Sequence, residues 1–252
     1  IFVLFFILIG CSKENNKEIS IEKGPFIKID GLLLYQETEI PVTGLVHTYK
    51  DEGEDEYLAS ERYYVNGLRE GLQKVYFPNG KLKVKGKMES GKKDGLWDAF
   101  FEEGGLKARF NYIDNKTEGM TKLFYRNGQL EIRSNYKDDK LDGLREIFNE
   151  KGNFIAKARY ENGLKTGFYE LFNQEGILKE KISYKKNLKD GPHEKFRDTG
   201  ELFFRSNYQD GLLNGLSENF FHGGAVSRRI SFKNDLQTGL HEEFYPNGQL
   251  MY

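Results

Sequence analysis

Four histidines, one cysteine and one glycine-lysine run are the residues of this chain whose types and spacing could do chemistry. His47, His193, His222 and His241 lack metal-site spacing, because no two of them stand as ligands with a third nearby. They read as exposed strand residues. Residues 86–93, GKMESGKK, approach a phosphate-binding loop. The run ends in Lys where Ser or Thr must ligate magnesium, and no helix pattern follows it. A single cysteine, Cys11, excludes a disulfide framework and a cysteine-based zinc cluster. Nowhere do a nucleophile, a base and an orienting group converge, so the expectation is a protein that is not an enzyme and uses no cofactor.

Composition narrows the classes further. The 252 residues carry 38 basic and 39 acidic groups, a formal net charge of -1, which lacks the bulk basic field of general nucleic-acid binders. Glycine is 28 of 252, about 11% where roughly 7% is ordinary, while proline is only 5. These glycines are ordered. They fall at 71, 95, 119, 143, 167, 191, 215 and 239, a period of 24, and a second set lies nine residues later, from Gly80 to Gly248. With the first set as position 0, position 5 is always aromatic (Tyr76, Phe100, Phe124, Phe148, Phe172, Phe196, Phe220, Phe244). Position 11 is mostly Leu, position 17 mostly Tyr, and position 20 always Gly, Asn or Asp. The last three types tolerate positive φ, so each copy needs a tight turn there. Segments such as Asn127-Gly128 at positions 8 and 9 are hairpin signals.

Each unit therefore reads as two short strands, near positions 2–6 and 11–17, and two turns. In the second strand Leu130 and Ile132 are expected inward and Glu131 and Arg133 outward. A three-residue loop with Gly at its end would put the position-5 aromatic beside the position-11 Leu, and it requires a compensating one-residue bulge, for which the position-0 glycine is the natural place. A degenerate unit precedes the regular ones. Gly44, Tyr49 and Gly53 keep positions 0, 5 and 9, and removing Glu54, Asp55 and Glu56 restores Leu58 to position 11 and Tyr64 to position 17.

Two charge rows recur. Position 14 is always basic: Lys85, Arg109, Arg133, Lys157, Lys181, Arg205, Arg229. Position 3 is Glu in the last five units, Glu146 to Glu242, but Lys74, Asp98 and Lys122 in the first three. Two readings stand. Either the rows offset each other on a solvated face, or the basic row, unopposed in the first units, docks anionic lipid headgroups or an acidic protein face. The position-17 tyrosines likewise read as core packing or as an aromatic contact surface.

Residues 1–10, IFVLFFILIG, are wholly apolar, and the run stops at Cys11, after which the chain turns polar. Ten apolar residues are too few to span a bilayer, which needs about 20. The ending Leu8-Ile9-Gly10-Cys11 resembles the bacterial lipobox. That resemblance implies a diacylglyceryl group on the sulfur of Cys11, whose acyl chains (palmitate is typical) anchor the protein in the membrane of a bacterial cell envelope. Ser12 then implies the outer membrane if the cell has two. The sequence starts without Met or a basic segment, so the signal is expected to be incomplete. The expected organisation is a signal over 1–11, a flexible tether over 12–30, a capping strand and degenerate repeat over 31–70, and regular repeats over 71–252.

The recurring pattern, as in residues 119–130, GMTKLFYRNGQL, resembles the bacterial variant of the MORN repeat. The resemblance covers 44–252. It implies an all-β fold, an elongated, twisted antiparallel sheet of tandem 24-residue hairpins, used as a non-catalytic interaction scaffold. With the lipobox-like segment, the expectation is a membrane-anchored lipoprotein that binds a protein or a membrane surface; such families are also often labelled antitoxin-like. The rival expectation is an antitoxin or immunity-type protein that neutralises a specific partner.

Overall fold

A computed structural model describes residues 26–52 and 55–251. The expected signal and its Cys11 lie outside the described residues, as do Ser12, Glu54 and the first part of the expected tether. The first described element is a two-stranded hairpin, Phe26–Ile29 with Leu32–Tyr35. Among the described residues, the strands between Gly44 and Glu243 form one antiparallel sheet of 19 strands. Strands pair with their neighbours in sequence, except that Lys116–Thr117 and Gly119–Phe124 both line Leu106–Ile113, and Leu212–Leu213 and Gly215–Phe220 both line Leu202–Gln209. No register joins the last strand, Leu236–Glu243, to the first, Gly44–Glu52. The sheet is open and long.

Turn chemistry sets its rhythm. At positions 19 and 20 both residues have positive φ, as at Asp138 (48°) and Asp139 (64°), with Lys137 paired to Lys140 across them. That is the two-residue turn whose twist matches the flanking strands. At the other edge the Phe77 amide donates to the Lys81 carbonyl (2.8 Å) over Pro78-Asn79-Gly80, which is the expected three-residue loop. The degenerate unit keeps this frame: Tyr49 pairs with Leu58 and Gly44 with Tyr64. Its extra residues lengthen the hairpin tip, where Asp51 pairs with Glu56 and Glu52 with Asp55.

The compensating bulge sits elsewhere than expected. Leu123 pairs with Ile132 and Phe124 with Leu130, so the extra residue is Glu131, at position 12. Around the position-0 glycine the excess is two residues: Ser134 pairs with Arg145 and Tyr136 with Leu141, leaving Asp142, Gly143 and Leu144 opposite Asn135. A two-residue excess preserves the alternation of faces, whereas a one-residue excess inverts it. Leu130 therefore lies on the face of Arg133 and not with Ile132, which corrects the simple alternation expected for that strand.

Cross-strand partners share a face. The front carries positions 1, 3, 5, 11 and 14; the back carries 2, 4, 13, 15, 17 and 22. Rings at positions 5 and 11 meet on the front, as Phe148 and Phe154 do at 4.7 Å between centroids. On the back, Ala158, Ile182 and Ile230 are buried at position 15, and Tyr64 and Met88 at position 17. The core of this single layer is thin. Among the described residues, a cluster of buried side chains, Val42, Val46 and Tyr64, lies where Phe26, Leu33 and Tyr35 of the first hairpin cover the back of the degenerate unit. That cover is tied down by the Leu33 amide donating to the Gly67 carbonyl and the Gly67 amide to the Val42 carbonyl (2.9 and 2.8 Å).

Candidate functional site: a charge row on the front face

Positions 3 and 14 are cross-strand partners both within a hairpin and between hairpins. Asp98 pairs with Arg109, Arg109 with Lys122, Lys122 with Arg133, and Arg133 with Glu146. The two charge rows of the sequence are thus one row, crossing the whole sheet from His47 and Glu61 to Arg229 and Glu242. All seven basic residues singled out by position 14 lie in it.

The carboxylates sit low and the cations lie over them. Asp98, Glu146 and Glu218 are buried, whereas the side chains of Arg109, Arg133 and Arg205 are 43%, 39% and 47% exposed, leaving the guanidiniums open to solvent. Arg109 donates to both oxygens of Asp98 (2.7 and 2.9 Å), a bidentate pair. Arg133 donates to Glu146 Oε2 at 2.5 Å, and Glu218 accepts from Arg205 (2.6 Å) and Arg229 (3.1 Å). Hydrogen bonds to Asp98 and Glu146 hold the two guanidiniums above their ordinary pKa. At Glu218 burial pushes the pKa up, but the two arginines outweigh it and the carboxyl ends below its usual range. Lys157 lies 3.6 Å above the Phe154 ring, Lys181 4.1 Å above Phe168 and Lys85 5.8 Å above Phe100.

The row divides into two parts. From Glu146 to Glu242 acid and base alternate strictly. From Lys74 to Arg133 the order is Lys74, Lys85, Asp98, Arg109, Lys122, Arg133, with a single acid among bases. Lys74 is held by Glu61 (2.8 Å). Lys85 and Lys122 have no ion pair among the described residues.

One feature of this face escaped the sequence reading. Position 1, beside the charge row, holds Leu72, Leu96, Met120, Leu144, Phe168, Leu216 and Leu240, all exposed, Leu96 by 57%. The column was visible in the 24-residue frame, but only the burial shows that it faces solvent. On the back, the position-17 tyrosines are half-buried, and three of them, Tyr112, Tyr184 and Tyr208, lie under the position-22 lysines Lys93, Lys165 and Lys189 (4.6, 4.6 and 4.7 Å).

The other candidate groups have structural surroundings. His193 is buried, contrary to its reading as an exposed strand residue, because position 2 lies on the back between neighbouring strands; it hydrogen-bonds Glu180 Oε1 at 2.7 Å. His241 lies beside Arg228 (3.2 Å) and His222 beside Glu201 (3.0 Å). Gly86 lies beneath Trp97, and Gly91 is a turn residue. Among the described residues no three His, Cys, Asp or Glu stand together as metal ligands.

The MORN repeat variant, as a family model, matches residues 69–89, 117–138 and 237–252. Each match begins two residues before a position-0 glycine (Gly71, Gly119, Gly239), in the phase of the hairpins described above. Among curated proteins none matches the chain.

Proposed function

With repeats of that variant as the premise, we propose that this chain is a non-catalytic binding scaffold whose front face docks on an anionic membrane surface. The observation that carries this reading is one patch. The base-rich part of the charge row, Lys74 to Arg133, runs beside the exposed Leu72, Leu96 and Met120 on the same face. Cations beside an anionic bilayer contribute about 1 kcal/mol each, and apolar side chains add burial at the headgroup boundary. Cys11, lipidated as its lipobox-like setting implies, tethers the chain to that surface in the cell envelope.

Sedimentation with phosphatidylcholine vesicles, with and without phosphatidylglycerol, tests the docking on a Cys11→Ala chain. Binding is expected only with the anionic lipid, and it falls with salt. The double variant Lys85→Glu, Lys122→Glu changes charge without orphaning a buried acid, and it should weaken binding by more than about tenfold. Equal binding to neutral vesicles, or an unaffected double variant, would sink the reading. Should a stoichiometric protein co-purify instead, the immunity-type alternative gains. Membrane fractionation of the native chain against Cys11→Ala tests the anchor separately.

A further inference from the structure

The back of the degenerate unit holds a cleft of about 500 Å³ under the Phe26–Tyr35 hairpin. Leu33, Tyr64 and Met88 line one part of it, and Lys28, Arg62 and Arg69 line the rest. The volume is that of a small-molecule site.

Arg69 occupies position 22. In three later units the residue at that position is a lysine resting on rings: Lys93 on Trp97 and Tyr112, Lys165 on Tyr169 and Tyr184, Lys189 on Tyr208; in the other four it is the uncharged Thr117, Leu141, Leu213 or Gln237. Here position 2 is Gln73, and the Tyr64 ring is packed under the first hairpin, so Arg69 turns to the cleft. Arg62, at position 15, faces the same space, where other units place Ala158, Ile182 or Ile230. Neither guanidinium has an ion pair among the described residues, in contrast to Arg109, Arg133, Arg205 and Arg229 of the charge row, each of which is held by a carboxylate. Burial, and then the neighbouring charge of Arg69, lower the pKa of Arg62. Two like charges facing one half-enclosed space are unfavourable unless an anion joins them.

We propose that this cleft binds a small organic anion, a carboxylate or a phosphate monoester, gripped by Arg62 and Arg69 with its apolar body laid on Leu33, Tyr64 and Met88. The planar forks of two arginines suit either head group. The site lies on the opposite face from the charge row and is independent of the membrane reading.

Isothermal titration of the full chain with phenyl phosphate, benzoate, inorganic phosphate and benzyl alcohol tests it. One aromatic anion at least is expected to bind at a single site, with a dissociation constant of about 1 mM or tighter. The stronger of phenyl phosphate and benzoate identifies the head group, and inorganic phosphate binds more weakly because it lacks the apolar body. Benzyl alcohol, lacking the charge, does not bind. Arg62→Gln and Arg69→Gln should each weaken binding by about tenfold or more, as loss of a charge-assisted hydrogen bond does. Melting temperatures no lower than the parent's are expected for both, because a like-charge pair is relieved. Lys85→Glu, on the other face, should bind as the parent does. Absence of saturable binding by either aromatic anion, equal binding of benzyl alcohol, or variants that lose stability while keeping affinity would overturn the assignment.

Discussion

Gly86 and Trp97 face each other across two strands, and replacing that glycine by alanine tests the packing of the back face directly. A Cβ built on Gly86 would stand 2.1 Å from Cδ2 of Trp97 and 2.4 Å from Cγ and Cε2, so the indole must leave. Gly86 has no positive φ, so the backbone accepts alanine and in a strand gains about 0.5–1 kcal/mol from it. Against that gain stand the hydrogen bond from the indole N–H to the Lys87 carbonyl (3.0 Å), the edge-on contact with Tyr112 (6.3 Å) and the Lys93 ammonium 4.8 Å from the ring centroid. A net hydrogen bond contributes about 1 kcal/mol, an aromatic pair about 0.5–1.5 and a cation over a ring about 0.5–1. Gly86→Ala is therefore expected to destabilise by about 1–3 kcal/mol, in the range of other overpacked sites. For a chain of this size that lowers Tm by roughly 2–12 °C. Trp97 is the only tryptophan, so its emission reports the same event, moving to longer wavelength as the ring enters water. Gly80→Ala is the control: φ is +77° with nothing within 4 Å of its Cβ, so alanine there loses stability through backbone strain and leaves the emission unchanged. If Gly86→Ala keeps both the melting temperature and the emission of the parent, the ring-on-glycine account is wrong.

Three further outcomes are expected. Asp139 holds φ at 64° and accepts from the Thr117 amide (2.7 Å), so Asp139→Gly should cost about 1 kcal/mol and Asp139→Ala about 1 more, as thermal melts would show. Glu218 titrates below its unfolded value, so its stabilising effect is present above about pH 4.3 and is lost as pH falls through the folded value; Glu218→Gln should be less stable at neutral pH and flatten the acid limb of the stability curve. Burial, only partly offset by Glu180, lowers the pKa of His193, so the neutral ring is favoured in the folded chain. Stability should fall as pH drops below the unfolded value of about 6.5, and a His193→Gln melt series should lack that slope.

Spacing carried most of the architecture. Aromatic position 5, turn position 20 and the glycine sets gave the hairpins, their loop length and their number, because each records a local backbone demand that one residue type meets. What stayed hidden depended on parity. Whether the spare residue fell at position 12 or at the position-0 glycine decides which face Leu130 takes, and a sequence pattern holds both solutions until pairing is seen. For the same reason the rows at positions 3 and 14 were legible as two rows, while their union into one, with Asp98 the lone acid among the early bases, required the register. His193 misled because position 2 holds Gln73, Trp97, Thr121, Arg145, Tyr169, Ser217 and His241 in other units, a mixture without a hydropathy signal. The Arg62 and Arg69 cleft needed the first hairpin as its roof, and no repeat frame places that hairpin.

Strands of this sheet run across its length, so force applied to the two ends would load one ladder of hydrogen bonds at a time. Turn-to-turn bonds, such as Gly91 to Arg69, Asn115 to Lys93 and Asp139 to Thr117 (2.9, 2.9 and 3.1 Å), join each unit only to the one before it. Pulled lengthwise, the ribbon would peel from an end in even steps. Each 24-residue unit would release about 70 Å of chain, and the rest of the sheet would remain intact until its turn came. A ribbon built in this way would lengthen under load without losing its fold all at once.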